Sequence, residues 1–265
     1  MQTKLIGRSA IGRFAHHIAF DLRYLKHGKM RSLLFSVLFV VDNRLRHAVI
    51  LIELVDGTKL FIHVSDKGPL RNIFQDGLYS HFPVRKEWIV LDVGAHVGIF
   101  TLFVASRLRG TGTVLAIEPC PQNYELLARN ILTDKYRNVI AFREALSDNV
   151  GSTKLFLSTD SASHSIVGDG KASINVDTET IDNIVSRMNL PRIDLLKINA
   201  EGAELSILQG AERSMHRITH AIIEVHPCRV IGKDVESFLA ERGFKLRRRM
   251  GSSPFYYYLY ASRTH

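Results

Sequence analysis

The sequence predicts an α/β chain: a doubly wound, mostly parallel seven-stranded sheet, preceded by an N-terminal helical and β-hairpin extension. Three observations carry that expectation. From Trp88 onward, short apolar runs alternate with helix-length stretches over short connections, the pattern of a sheet covered by helices on both faces. The run Ile89–Val93 passes straight into Gly94-Ala95-His96-Val97-Gly98 and then into an apolar helical pattern. The chain closes with two strand-like runs, Lys245–Met250 and Phe255–Ala261, around Gly251-Ser252-Ser253-Pro254.

A length of 265 residues suits one large domain with an appendage, and the division expected is residues 1–84 for the extension and 85–265 for the domain. In the extension, apolar residues recur at helical spacing from Gly7 to Tyr24. His47 to Leu54 and Lys59 to Val64 flank Asp56-Gly57 as a hairpin, and Pro69 to Tyr79 suits a short helix. In the domain, strands are expected at Ile89–Val93, Thr113–Glu118, Val139–Arg143, Ile193–Ile198 and Ala221–Val225, with a further β segment at Ser152–Leu157. Helices are expected at Gly98–Leu108, Pro121–Leu132, Thr180–Met188, Gly202–Leu208 and Asp234–Arg242, the last stopped by Gly243. Ser158 to Lys171 is rich in Ser, Gly and Asp and reads as a mobile loop rather than core.

The charge is unevenly placed. Of a formal net +9, seven charges fall in residues 1–46, so the domain is nearly neutral and the arm is basic. Such an arm suits nucleic acid, an acidic glycan or a peripheral contact with a membrane surface, and equally a solvated face. Leu33–Val41 is nine residues with one serine, too short to cross a bilayer, and reads as a packed or interfacial helix. Cys120 and Cys228 are the two cysteines; if the fold sets the strands they follow three places apart, they lie beyond disulfide reach at ~4.8 Å per strand, so both should be free thiols in a cytoplasmic setting. No metal-ligand spacing occurs.

The turn after the first strand names a ligand class. Asp92 ends the apolar run, Gly94 permits a tight turn, and Gly98 permits close approach of backbone to a ligand. A dinucleotide fingerprint wants a middle glycine that Gly94-x-x-x-Gly98 lacks. The next strand ends in Glu118, placed to hold the two hydroxyls of a ribose. Together these look like the S-adenosylmethionine site of a class I, Rossmann-like methyltransferase; a nicotinamide-binding or merely structural turn is the other reading of the glycines alone.

With Glu118-Pro119 and the stretch Ile193-Asp194-Leu195-Leu196-Lys197-Ile198-Asn199-Ala200-Glu201-Gly202-Ala203-Glu204, the chain resembles the FkbM-type methyltransferase family over about residues 85–227. Ala145-Leu146-Ser147-Asp148, Thr180-Ile181-Asp182 and Ile223-Glu224-Val225-His226-Pro227 extend the likeness. One departure stands out: Asn199 occupies a position where the family pattern usually has Asp, and an amide cannot serve as a carboxylate base. The resemblance implies strand order 3-2-1-4-5-7-6, with S-adenosylmethionine across strands 1 and 2 and the acceptor near strands 4 and 5. It implies that Asp92 and Gly94, Ala95 and Gly98 lie along the methionine part and that Glu118 takes the ribose hydroxyls beside a turn shaped by Pro119. Glu144 or the Ala145 backbone would reach the adenine.

Methyl transfer to a hydroxyl needs positioning and removal of a proton. Glu201 and His226 are the candidate bases, from the ends of adjacent strands. Lys197 and Asn199 share one side of their strand by alternation, and Lys197 is expected to pair with Glu201 or Glu224 or to orient the acceptor. Against these roles, Glu201 and Glu204 also suit the first turn of a helix, where acids favour the dipole. His96 reads as a pocket-rim residue. The reading is an S-adenosylmethionine-dependent O-methyltransferase acting on a sugar or other small-molecule hydroxyl. An RNA methyltransferase gripping RNA with its arm, and a non-catalytic binding protein of the same fold, are the alternatives.

Overall fold

A computed structural model describes residues 48–263 apart from 55–56, 75–76, 134–135, 169–171 and 252–254. The readings of the basic arm, its helix and Leu33–Val41 lie outside the described residues. The chain divides into two compact units, residues 1–77 and 78–265.

In the first unit, β1 (Val49–Glu53) and β2 (Lys59–His63) form the expected antiparallel hairpin, with Leu51 opposite Phe61. Gly57 takes the left-handed φ of 90° that the connection needs. A single 3-10 turn, Val64–Asp66, leads into helix α1 (Lys67–Phe74), and the Asp66 carboxylate accepts the His63 N–H at 2.8 Å.

The second unit is built on seven strands: β3 (Ile89–Val93), β4 (Thr113–Ile117), β5 (Val139–Phe142), β9 (Ile193–Ile198), β10 (Ile218–Val225), β11 (Lys245–Met250) and β12 (Tyr257–Ser262). Their spatial order is β5-β4-β3-β9-β10-β12-β11, which is the order the family resemblance implies. All pairs are parallel except those of β12, which runs antiparallel to both neighbours. The central strands β3 and β9 are mostly apolar, with Asp92, Asp194 and Lys197 the exceptions, because helices bury both faces. The unit begins ahead of the expected 84/85 boundary because Leu78 and Tyr79 are buried in it, Tyr79 with a hydrogen bond to Glu224.

Helix α2 (Ile99–Leu108) is buried along most of its length. Helix α3 (Pro121–Thr133) opens with proline at a position where no N–H is needed. Thr180 caps α4 (Ile181–Arg187) by accepting the Asn183 N–H. Helices α5 (Glu204–Gln209) and α6 (Gly232–Glu241) complete the layers, and Gly243 at φ 82° ends the last of them.

Two expectations need correction. Between β5 and α4 lies a separate three-stranded sheet, β6 (Ala145–Leu146), β7 (Gly151–Phe156) and β8 (Ser173–Glu179), ordered β6-β8-β7. Strand β8 was not expected. Its neighbour, the stretch read as a mobile loop, carries a 3-10 turn at Ser161–Ser163 and a bridge between Phe156 and Ser165. Ser161 and Ser165 are both buried, because the loop folds down onto the ends of the main strands.

Candidate active site

The carboxyl ends of β3, β4, β9 and β10 meet along one edge of the sheet. At the end of β3, Gly94 has φ 72°, and a Cβ there would stand 1.8 Å from the Asn199 carbonyl oxygen. Only glycine lets the turn pass so close to the end of β9. Gly98, φ 90°, abuts the Leu127 side chain, so the absence of a Cβ there also lets α3 pack closely on the turn. The N–H groups of Gly94 and Ala95 both donate to the Ile117 carbonyl at 3.0 Å, and that of His96 donates to Glu118 Oε2 at 2.8 Å. The turn is thereby tied to the end of β4.

Glu118 is 5% exposed. Oε1 accepts the Cys120 N–H across Pro119 at 3.0 Å and the Asn123 amide at 3.4 Å. Burial outweighs these donors and pushes the carboxyl up to about 7. A diol donating two O–H groups would supply what this carboxylate lacks, so its chemistry fits a ribose. Above it sits the folded loop: His96 Nε2 is 3.1 Å from Ser161 Oγ, and the Asn123 amide donates to the Ser161 carbonyl at 2.9 Å. Glu144, expected to reach the adenine, instead accepts from Arg187 at 2.6 Å. Ala145 is buried in β6, opposite Thr178.

Lys197 departs from expectation. Its ammonium lies 2.9 Å from Asp92 Oδ1 and donates to the carbonyls of Gly94 (2.7 Å) and Val93 (3.3 Å). Asp92 Oδ2 accepts the Thr101 hydroxyl at 2.6 Å. Neither residue is spare for substrate; the pair braces the turn from beneath. Lys197 does not pair with Glu201 or Glu224, because it reaches across to β3, while Asn199 lies past the last residue of β9 and reaches towards β10.

On the β10 side the carboxylates gather around one ring. His226 Nδ1 is 2.8 Å from Glu204 Oε1 and Nε2 is 3.1 Å from Glu201 Oε1, with Glu224 Oε1 at 3.9 Å. Burial alone would strip the imidazole of its proton, but bonds to Glu201 and Glu204 prevail and push it up to about 10. With a carboxylate at each ring nitrogen and the charged form favoured, His226 is better arranged to hold its protons than to take one from an acceptor. Glu201 is the most accessible of the three carboxylates, its side chain 16% exposed against 0% for Glu204 and 7% for Glu224. Glu224 Oε2 accepts from the Tyr79 hydroxyl (2.9 Å) and the Asn199 amide (3.2 Å). Burial raises the Glu224 carboxyl above its ordinary range despite the neighbouring His226. Asn199 Oδ1 is buried without a hydrogen-bond partner among the described residues.

Sequence reasoning missed Thr101, Asn123, Ser161, Ser165 and Tyr79. Only Asn123 carried a signal, as a polar residue on the buried stripe of α3 that repeats at Leu127 and Asn130. Among the described residues, no group of three or more His, Cys, Asp or Glu is arranged to hold a metal ion, and no helix is long and apolar enough to cross a membrane.

A parallel sheet in this order, a glycine turn after its first strand and a buried acid after its second define a methyltransferase of the class I, Rossmann-like kind. The sequence matches the FkbM methyltransferase domain over residues 92–246, and the chain belongs to that family. It is accordingly an S-adenosylmethionine-dependent methyltransferase. Among relatives, methyltransferase sdnD of Sordaria araneosa is 25% identical over 212 residues, covering 67% of this chain and 82% of sdnD. Hexuronic acid methyltransferase AglP of Haloferax volcanii is 27% identical over 154 residues, covering 58% of this chain and 62% of AglP. The crystal structure of methyltransferase FkbM from Methylobacillus flagellatus aligns with a TM-score of 0.50 at 18% identity, over 96% of this chain and 58% of the other, a likeness of fold.

Proposed function

We propose that this enzyme methylates a hydroxyl on a sugar or other small molecule, with Glu201 taking the hydroxyl proton. The observation that carries the reading is the placement of Glu201 at the end of β9, held by the His226 imidazolium and the most accessible of three clustered carboxylates. In this reading the turn from Asp92 through Gly94, Ala95 and Gly98, with Glu118, Pro119 and the backbone at Ala145, holds S-adenosylmethionine. When bound, the cofactor supplies an electrophilic methyl group on a sulfonium. Glu201 then bonds the acceptor O–H and carries off its proton, while His226 keeps its own proton and fixes the carboxylate. Asn199 Oδ1, buried and unpartnered, is suited to accept a second hydroxyl of the acceptor. AglP, named for a hexuronic acid, supports a sugar-derived acceptor. Two free cysteines, Cys120 and Cys228, support a cytoplasmic location.

The test is to incubate cell extract with the protein and methyl-labelled cofactor and to identify the labelled product by mass spectrometry. Label on the oxygen of a small hydroxyl compound is expected; label confined to RNA overturns the reading. Glu201→Gln should cut turnover by ~10²–10⁴-fold while cofactor affinity holds.

A further inference from the structure

Glu201 sits at φ 51°, a left-handed conformation that residues with a Cβ adopt only when their surroundings impose it. Gly202 follows at φ 106°, and its N–H donates to Glu204 Oε1 at 3.0 Å. The Glu201 carbonyl takes two donors from distant parts of the chain: Ser165 Oγ at 2.7 Å and Arg229 Nη1 at 3.2 Å. Arg229 is exposed, whereas Ser165 is 3% exposed.

The Ser165 hydroxyl is directed. Its oxygen accepts the Val167 N–H at 2.9 Å, and a hydroxyl has a single proton to give, so that proton goes to the Glu201 carbonyl. The Ser165 backbone is fixed as well, donating to Phe156 O at 3.1 Å and accepting the Phe156 N–H at 2.8 Å. Through Phe156 it is anchored to β7 and its small sheet. A rigid donor therefore presses on the one strained peptide that decides where the Glu201 side chain leaves the backbone.

We propose that Ser165 is a positioning residue: its hydroxyl holds the Glu201 backbone in the left-handed conformation that brings the carboxylate onto His226. The consequence for catalysis rests on Glu201 being the base, but the positioning itself does not. The loop after β7, with Ser161 joined to Glu118 through Asn123 at one end and Ser165 on Glu201 at the other, thereby sets the geometry of the reacting end from outside the main sheet.

The experiment uses the full chain and reads His226 by NMR of histidine-labelled protein, with His226→Gln to assign the signal. Glu201→Gln removes the carboxylate charge and marks the full displacement of the His226 titration toward lower pH. Ser165→Ala should reproduce a substantial part of that displacement, lower kcat about tenfold, and leave cofactor Kd within about twofold. A Ser165→Ala protein whose His226 titrates as in the parent overturns the proposal, whatever its activity. Unchanged turnover in Glu201→Gln would overturn the base assignment alone, leaving the His226 displacement to decide the role of Ser165.

Discussion

Lys197 Nζ stands 2.9 Å from Asp92 Oδ1, with the two side chains 5% and 0% exposed, so the centre of the sheet contains a buried ion pair between β9 and β3. Its three ammonium hydrogens have three acceptors, Asp92 and the carbonyls of Val93 and Gly94. Removing the cation leaves a fully buried carboxylate with only Thr101, among the described residues, to bond it. Lys197→Met should therefore destabilise the protein by ~3–5 kcal/mol, and adding Asp92→Asn should recover part of that loss. Chemical denaturation measures both. A Lys197→Met protein of unaltered stability and abolished turnover would instead put the ammonium on the acceptor.

Glu118 makes cofactor binding depend on pH. Its carboxyl is pushed up to about 7 from an ordinary 4.5, so the folded protein favours the neutral form. The contribution of this group to stability is thus fully present below the unfolded value and is lost as pH rises through about 7. Ribose hydroxyls donate to the charged form, so binding should release a proton below that pH. Cofactor affinity should fall towards tenfold per pH unit on acidification below about 7. Calorimetry at several pH values, in buffers of different ionisation enthalpy, reads both the affinity and the proton. Glu118→Ala should weaken binding by ~1.5–3 kcal/mol and flatten the profile.

The main sheet was legible because its strands are apolar runs buried on both faces, bounded by Gly or by a final acid; Ile89–Val93 and Ile193–Ile198 were placed residue for residue. Strand β8 was not, because Ser173, Asn175, Asp177 and Glu179 alternate with Ile174, Val176 and Thr178, and of these seven residues only Val176 and Thr178 are buried. The polar support of the site was hidden for a different reason. Tyr79 bonds Glu224 across 145 positions of sequence, and Ser165 meets Glu201 across 36; no local spacing reports such contacts. Lys197 and Asn199 misled because alternation holds only inside a strand, and β9 stops at Ile198.

Burial disfavours the charged His226 ring, but the carboxylates bonded at its two nitrogens push it up to about 10 from the ordinary 6.5. A raised histidine stabilises the fold below its unfolded value, and that contribution disappears as pH rises through about 10. His226→Gln should cost ~3–5 kcal/mol at pH 7, since Glu204 would remain buried without its cation, and the cost should shrink towards pH 10. Thermal or denaturant unfolding across that range measures it. The pH profile of kcat separates the chemical roles: an activity that climbs only as pH approaches 10 would make His226 the base after all.

The amide of Asn199 has a defined partner in the structure. Its Nδ2 donates to Glu224 Oε2 at 3.2 Å, on the same oxygen that Tyr79 bonds. Glu224 is 6% exposed and raised by burial, with His226 and the Tyr79 hydroxyl favouring its charged form. An aspartate at 199 would set a second carboxylate against it, and two such groups at hydrogen-bond distance cannot both ionise cheaply. Asn199→Asp should therefore lower the unfolding midpoint at pH 8, and acidification to pH 5.5 should restore it as the pair takes up a proton. Adding Glu224→Gln, which returns a donor to the facing position, should restore it at pH 8 as well. Turnover should follow the same pattern, falling in the single variant because the disturbed pair lies beside Glu201 and His226. A single variant that is both more active than the parent and equally stable from pH 5.5 to 8 would mean that Glu224 has no need of the amide.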